Sequence, residues 1–378
     1  MRLRTIILPI FLAACGTEQS SINQSSQWLA TTSVVGNSTI TSITGFQGPY
    51  GLLVSHDFKL YVPDIVEARV VRFSSELAFE KWLGYSSETN TSGWFDEDLS
   101  PSVDSLEAPI GAHSISFSSH GYIVVSAYYN LSVHIYDDSG NFVQFLNSSP
   151  NDSSLKFKGP ANAYVDPTGN IWVSDYGSHR VFKFDSNYNF IGWLGATSSG
   201  PTNGFAQSGE PVSSSALGGF NKPHMVKVDK NGFVYVVEVG NNRIQKFDQN
   251  GQPLGWIGAK KNGGTTLKFE VGGEAVPTSL PGGFDKPASI FIHNNQSIIV
   301  ADFGNNRIQK FNLDGTYVGW LGASKSNIYV NWSNTGESAI RGTSIGHLSS
   351  PFDAIIANER LFIADGLNKR IKIYPISY

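Results

Sequence analysis

The chain has one cysteine, at position 15, in 378 residues. A single cysteine forms no internal disulfide and no cysteine-rich zinc site. Charge is also scarce. The 27 basic and 31 acidic side chains make up 15% of the chain, against about 25% in an average globular protein. A coiled coil or a charge-laced helical bundle needs far more Glu, Lys and Arg. The formal net charge of −4 leaves no broad basic surface for a nucleic acid. Past the first fifteen residues, no run is apolar enough to cross a bilayer as a helix. There is no GxSxG elbow, Walker loop, HExxH pair or EF-hand loop. What is present is a composition 40% apolar and 12% aromatic, with 39 glycines and 17 prolines. That composition fills a large core and supplies many turns, so wholesale disorder is excluded.

The chain begins MRLRTIILPIFLAAC. Arg2 and Arg4 give a positive start, and the apolar stretch Ile6 to Leu12 is interrupted by Pro9. This reads as a secretory signal, too short to span a bilayer core of about 30 Å. Leu12-Ala13-Ala14-Cys15 resembles the lipobox of bacterial lipoproteins, where signal peptidase II cuts before the cysteine. The resemblance implies a signal peptide at 1–14, lipidation at Cys15 and a polar tether at 15–26. The alternative is an ordinary secretory signal with an incidental cysteine. More than one acyl chain would give stable membrane anchoring. Gly16 stands where an aspartate would suggest inner-membrane retention, so the expected place is the outer membrane of a bacterial envelope.

Residues 27–378 are expected to form one domain, and from residue 48 onward the chain repeats itself. Residues 159–196, 222–259 and 286–323 align without a gap, as in KPHMVKVDKNGFVYVVEVGNNRIQKFDQNGQPLGWIGA (222–259). Residues 48–84 share the frame through Asp64, Arg69 and Phe73, and 350–378 share it through Asp365. A worn copy occupies 108–146, where Gly121, IVVSA (123–127) and VHIYDDSGNF (133–142) keep the register. Repeats therefore start near 48, 108, 159, 222, 286 and 350 and build one architecture rather than several domains. Short runs rich in Val, Ile, Phe and Tyr alternate with turns such as Asp229-Lys230-Asn231-Gly232, a β signal. Four strands fit the fourth copy: Pro223–Val228, Val234–Glu238, Arg243–Asp248 and Leu254–Gly258.

The recurring D-x-x-x-[NH]-R-[IV]-x-[KR]-F pattern resembles the NHL-repeat family. The resemblance implies an all-β, six-bladed β-propeller with four antiparallel strands per blade. The last copy stops after its third strand. Residues 27–43, with Gln27-Trp28-Leu29-Ala30 and an alternating TITSI, are expected to supply the missing outer strand and close the ring.

Strand parity separates two faces. The inner-to-second and third-to-outer connections are tight turns on one face. The second-to-third connections and the passages to the next blade lie on the other. Four of those passages, 85–107, 197–221, 260–285 and 324–349, are long and rich in Gly, Ser, Thr and Asn. Long loops of this kind are often functional. They are expected to form a rim around the channel mouth, or else to cap the ring by packing Phe220 and Phe284 on neighbouring blades. Glu88, Asp96, Glu97, Asp98, Asp104 and Glu107 make the first of them acidic, suited to a cation or a basic partner, or simply solvated.

Asp64, Asp175, Glu238, Asp302 and Asp365 recur at the end of the second strand, each followed five residues later by an arginine. A catalytic set is not repeated in nearly every blade, so a structural role is expected. Departures from the repeat carry more information. The residue after the strand-starting proline is Tyr50, His113, Ala161, His224, Ala288 or Phe352 in turn, with Ala112 replacing the proline in the worn copy. Histidines in alternate blades point at one axis, and His347 lies just upstream of Phe352. His113, His224 and His347 are thus candidate ligands for a divalent metal, zinc or calcium, on the channel axis. The arrangement is similar to peptidylamidoglycolate lyase, a propeller that holds zinc with histidines of alternate blades and uses a nearby tyrosine. That resemblance implies Tyr176 as a catalytic candidate, although blade six lacks Pro-His and no catalytic arginine matches. Tyr50, Tyr176, Phe303 and Phe352 are candidates for a ligand-binding face. The first expectation is a lipid-anchored, non-catalytic module for a protein, peptide or glycan. The second is a metal-dependent lyase or hydrolase.

Overall fold

The computed structural model describes residues 28–35, 38–96, 98–118, 120–146 and 155–376. The signal segment, Cys15 and the polar tether lie outside the described residues. Blade four shows how the repeat folds. Its strands, from the axis outward, are Pro223–Val228, Val234–Glu238, Arg243–Phe247 and Pro253–Lys260. The first turn closes because Asp229 Oδ1 accepts the N–H groups of Asn231 and Phe233 at 2.9 and 3.0 Å. Gly232 completes it at φ 84°, a conformation that costs glycine little. Asp248 and Gly251 build the third-to-outer turn in the same way.

Six such antiparallel sheets, of four or five strands each, form the propeller. Their apolar residues sort into six large clusters, one at each interface between neighbouring blades, and a small seventh of Ala161, Tyr176 and Val239. Between blades three and four, for example, Trp172, Val181 and Leu194 meet Val226, Val236 and Phe220. The core is thus a ring of interfaces, so no blade buries its apolar faces alone.

Closure uses the N-terminal segment, as expected, with a difference in detail. The outer strand of blade six is Ser38–Thr44, paired with Arg370–Pro375 through Thr41↔Ile373 and Ile43↔Ile371. Leu29–Val35 folds back on it as a fifth strand, so the Trp28-Leu29-Ala30 stretch is not the outer strand's counterpart of GWLGA. Trp28 instead packs on Phe46, Phe73 and Phe79.

In the five blades that carry them, the recurring carboxylates are fully buried and tie the blade to its incoming loop, and their arginines are buried except for the partly exposed Arg370. Glu238 pairs with Arg243 at 2.6 Å and accepts the Asn221 N–H at 3.0 Å. Arg243 donates onward to the carbonyls of Ser215, Ala216 and Gly219. Asp302 with Arg307 and Asp365 with Arg370 repeat the pattern at 2.9 and 2.7 Å. In blade three Ser178 stands between Asp175 and Arg180.

A second device joins one blade to the next. Lys222, Lys286 and Ser350 precede the inner-strand prolines at φ 55°, 49° and 52°. Each donates its N–H to a side chain of the preceding blade: His179 Nδ1 at 3.0 Å, Asn242 Oδ1 at 2.8 Å and Asn306 Oδ1 at 2.9 Å. This clasp gives the asparagine before the repeat's arginine its task. Those residues are themselves left-handed, a region Asn and His enter more readily than most.

Candidate functional site at the channel mouth

The inner strand of each blade pairs with its neighbour in a broken register. Pro223 opposes Glu238, and Met225 opposes Val237, so His224 is an extra, unpaired residue. The same break leaves out His113, Ala161, Ala288 and Phe352. Tyr50 follows Pro49, which bridges Asp64. A bulge of this kind re-aims one side chain. Repeated round a ring, it brings the bulged residues of several blades together at the mouth.

The side chains there are packed. Tyr50 is sandwiched between His113 and Phe352, with ring centroids 4.0 Å from each. Its hydroxyl donates to His224 Nε2 at 2.9 Å. Nδ1 of His224 lies 2.6 Å from the Ala288 carbonyl, which only accepts, so the proton sits on Nδ1 and Nε2 receives the tyrosine. His113 stacks on Tyr128 at 4.6 Å and lies 6.1 Å from His224, centroid to centroid. Phe303 packs on Phe352 at 5.0 Å, and Tyr176 meets both His224 and Tyr128 edge-on. Tyr50, His113 and His224 are each less than a tenth exposed.

Burial sets the electrostatics. It pushes His224 down to about 4 against the small opposing effect of the Ala288 carbonyl. His113 is held well below the ordinary histidine value by burial first and by His224 second, with the Ala161 backbone acting weakly the other way. Both rings are neutral at pH 7. Tyr50 is raised far above its ordinary value by burial, then by Tyr176. Burial raises Tyr176 to about 12. Neither histidine is poised to change charge near neutrality.

The structure therefore brings Tyr50, His113, His224, Phe352, Phe303 and Tyr176 together and leaves His347 out. His347 is the counterpart of Gly283, and its carbonyl accepts from Arg370 and Lys372 inside blade six. Its ring lies against Gly342. Among the described residues no three His, Cys, Asp or Glu side chains converge. The residues present do not fit a three-ligand metal, because both nitrogens of His224 are engaged and His347 is held elsewhere. Tyr128, in the worn repeat, escaped the sequence reading because that copy lacks the carboxylate that marks the loop's start.

The long loops differ from the expected rim. Thr91–Phe95 and Ile328–Ser333 pair with the outer strands of blades one and five, and Ala275–Val276 with that of blade four. Backbone carbonyls in these loops accept the indole N–H of Trp82, Trp256 and Trp320. An open strand edge recruits the nearest chain, and the loop must start from that edge. Phe220 and Phe284 are buried between blades, which is the capping arrangement. Glu97 lies outside the described residues, and the described acidic residues of the first loop form no cluster.

The fold is a six-bladed β-propeller, and three of its blades match the family model described as the NHL repeat, at residues 157–184, 220–247 and 284–311. The chain is 28% identical over 163 residues to NHL repeat-containing protein 3 of Homo sapiens, covering 40% of this chain and 42% of that protein. It is 30% identical over 155 residues to a Caenorhabditis elegans protein named probable peptidyl-alpha-hydroxyglycine alpha-amidating lyase, covering 40% and 36%. The matches thus span about two fifths of the length of these relatives. Among solved structures, a gluconolactonase of Xanthomonas campestris superposes with a TM-score of 0.53 at 12% identity, covering 90% of this chain and 91% of that one. That likeness is one of fold.

Proposed function

We propose that the propeller is a non-catalytic binding module, held to the bacterial outer membrane by a lipid on Cys15, which engages a protein, peptide or glycan through its long-loop face. The observation that carries this reading is the filled channel mouth. Its histidines are buried and neutral, with both nitrogens of His224 engaged by the chain and the His113 ring stacked between Tyr50 and Tyr128, so among the described residues no acid, base or metal set faces a substrate. The long loops meanwhile hold apolar side chains in solvent, with Leu267 80%, Val271 70% and Leu280 52% exposed. Exposed apolar side chains on such a loop suit contact with a partner. Lipidation and export rest on the sequence around Cys15 alone.

The enzyme reading has one observation in its favour. His113 and His224 do lie side by side, and the similarity to the lyase-named nematode protein covers 40% of the chain. Two experiments separate the readings. Labelled protein is screened on peptide and glycan arrays, and a Leu267→Ser, Val271→Ser, Leu280→Ser variant should lose the signals. Stoichiometric zinc in the purified protein, lost on His224→Ala, would replace the binding reading with the enzyme. For the anchor, Cys15→Ser should shift the protein from the membrane to the soluble envelope fraction, and unchanged membrane association would refute it.

A further inference from the structure

Beside the filled mouth lies a groove of about 290 Å³ that the histidine cluster does not use. It opens where the second-to-third loops of blades three and four meet the chain entering blades four and five. Tyr176, Lys222, Val239, Pro277, Asp285 and Lys286 line it. Its charge runs against that of the whole chain, since its lining includes two lysines and one aspartate in a protein of net charge −4. Neither lysine forms an ion pair within 4 Å among the described residues, while the surface lysines Lys260 and Lys261 both find glutamates. Asp285 turns its carboxylate against Gly304, whose missing Cβ leaves the room. Lys222 Nζ is held 5.4 Å from the centre of the Tyr176 ring.

A neighbouring group senses this charge. His179, which accepts the Lys222 N–H, is shifted below the ordinary histidine value by burial first, then by Lys222 and Lys158. Lys158, Lys222 and Lys286 thus border one side of the mouth, none with a carboxylate within 4 Å among the described residues. Two of them line a cavity that also offers the aromatic and apolar surfaces of Tyr176, Val239 and Pro277. Unpaired ammonium groups at a concave surface attract anions, and a tyrosine face supports a flat or apolar body. The volume lies at the small end of ligand pockets.

We infer that this groove binds a small anionic ligand, its carboxylate or phosphate taken by Lys222 and Lys286 and its apolar or aromatic body resting on Tyr176 and Pro277. This rests on the reading of the long-loop face as a binding face and names the chemistry it selects. The lysines take the anion by charge-assisted hydrogen bonds, so a neutral isostere should bind far more weakly.

The test is titration calorimetry on the whole propeller at 50 mM salt with N-acetyl-phenylalanine, its neutral amide and phenyl phosphate. An acid Kd on the order of 1 mM or tighter is expected, with the amide at least tenfold weaker, and phenyl phosphate tells whether phosphate is preferred to carboxylate. The Lys222→Gln, Lys286→Gln variant should weaken both anions at least tenfold, whereas Lys261→Gln should not. Salt at 500 mM should weaken wild-type binding severalfold. Thermal melts check that the variants fold. Equal affinity for acid and amide, or anion binding unchanged in the double variant, overturns the inference. So does the absence of binding by both anions. Array signals that survive in those cases would leave the binding module standing without the anion site.

Discussion

Lys372 offers the sharpest quantitative test of how the repeat works. It is fully buried in the third strand of blade six, where blades four and five carry Gln245 and Gln309. Gln309 donates to the Gly283 carbonyl at 2.7 Å and to Asp302 at 3.0 Å, and accepts the Gly282 N–H at 3.0 Å. Lys372 instead drives an ammonium against the carbonyls of His347, Ile345 and Ser344. Burial lowers it from 10.5 to about 7, with Arg370 adding repulsion and Asp365 opposing the shift. Its folded value lies below its unfolded value. The fold therefore binds fewer protons than the unfolded chain between the two, and stability rises with pH across that window.

Each pH unit of the gap is worth about 1.4 kcal/mol, so keeping the lysine costs about 4 kcal/mol at pH 7 and about 2 kcal/mol at pH 9. Urea denaturation of the wild type should gain about 2 kcal/mol between these pH values relative to Lys372→Gln. The variant should also be the more stable of the two at pH 7, because a neutral amide can make the contacts Gln309 makes. Parallel pH profiles for the two proteins, or a variant less stable at pH 7, would refute the reasoning and show that the carbonyl cage compensates the charge in full.

His179 accepts a backbone N–H where blades four and five use asparagine, and its folded value is depressed, so its contribution is intact above the unfolded value and fades as pH falls. His179→Asn should flatten the acid side of the stability profile, and an unchanged acid midpoint would count against the clasp. Tyr50→Phe leaves His224 Nε2 buried without its donor and should cost about 1–3 kcal/mol in urea denaturation; a change near zero would mean the hydrogen bond is not formed in solution. Arg307→Ala strands the buried Asp302 carboxylate and should cost about 3–5 kcal/mol at neutral pH, more than any lysine on the surface. Its measured loss should shrink at acid pH, where Asp302 can take a proton.

The repeat was legible because its spacing carries physics. Asp229 and Gly232 can make only a turn, the alternating strands need two apolar neighbours, and a copy lacking its fourth strand must borrow one. The borrowed strand was located only to within a few residues, since Trp28-Leu29-Ala30 and Thr41-Ser42-Ile43 both suit an outer strand. Only the register of the assembled sheet, Thr41 opposite Ile373, chose between them. The long loops were only half legible for a similar reason: the packing of Phe220 and Phe284 could be expected, the added strands could not. Their composition says that they lack a core of their own, but not that an open strand edge will take them up.

By itself the sequence determined the ring: six repeats, the position of each turn and the residues that begin each inner strand. It also marked Tyr50, His113, His224 and Phe352 as equivalent, because the repeat frame counts positions without knowing where they point. Only the tertiary structure decided that these residues fill the mouth rather than line an open site. It parted His347 from the other histidines and left Lys222 and Lys286 unpaired beside Tyr176. The physical reason is that a repeat specifies contacts within a blade and to its neighbour. What meets on the axis is set by the bulge in every blade at once, and by which side chains the ring leaves without a partner.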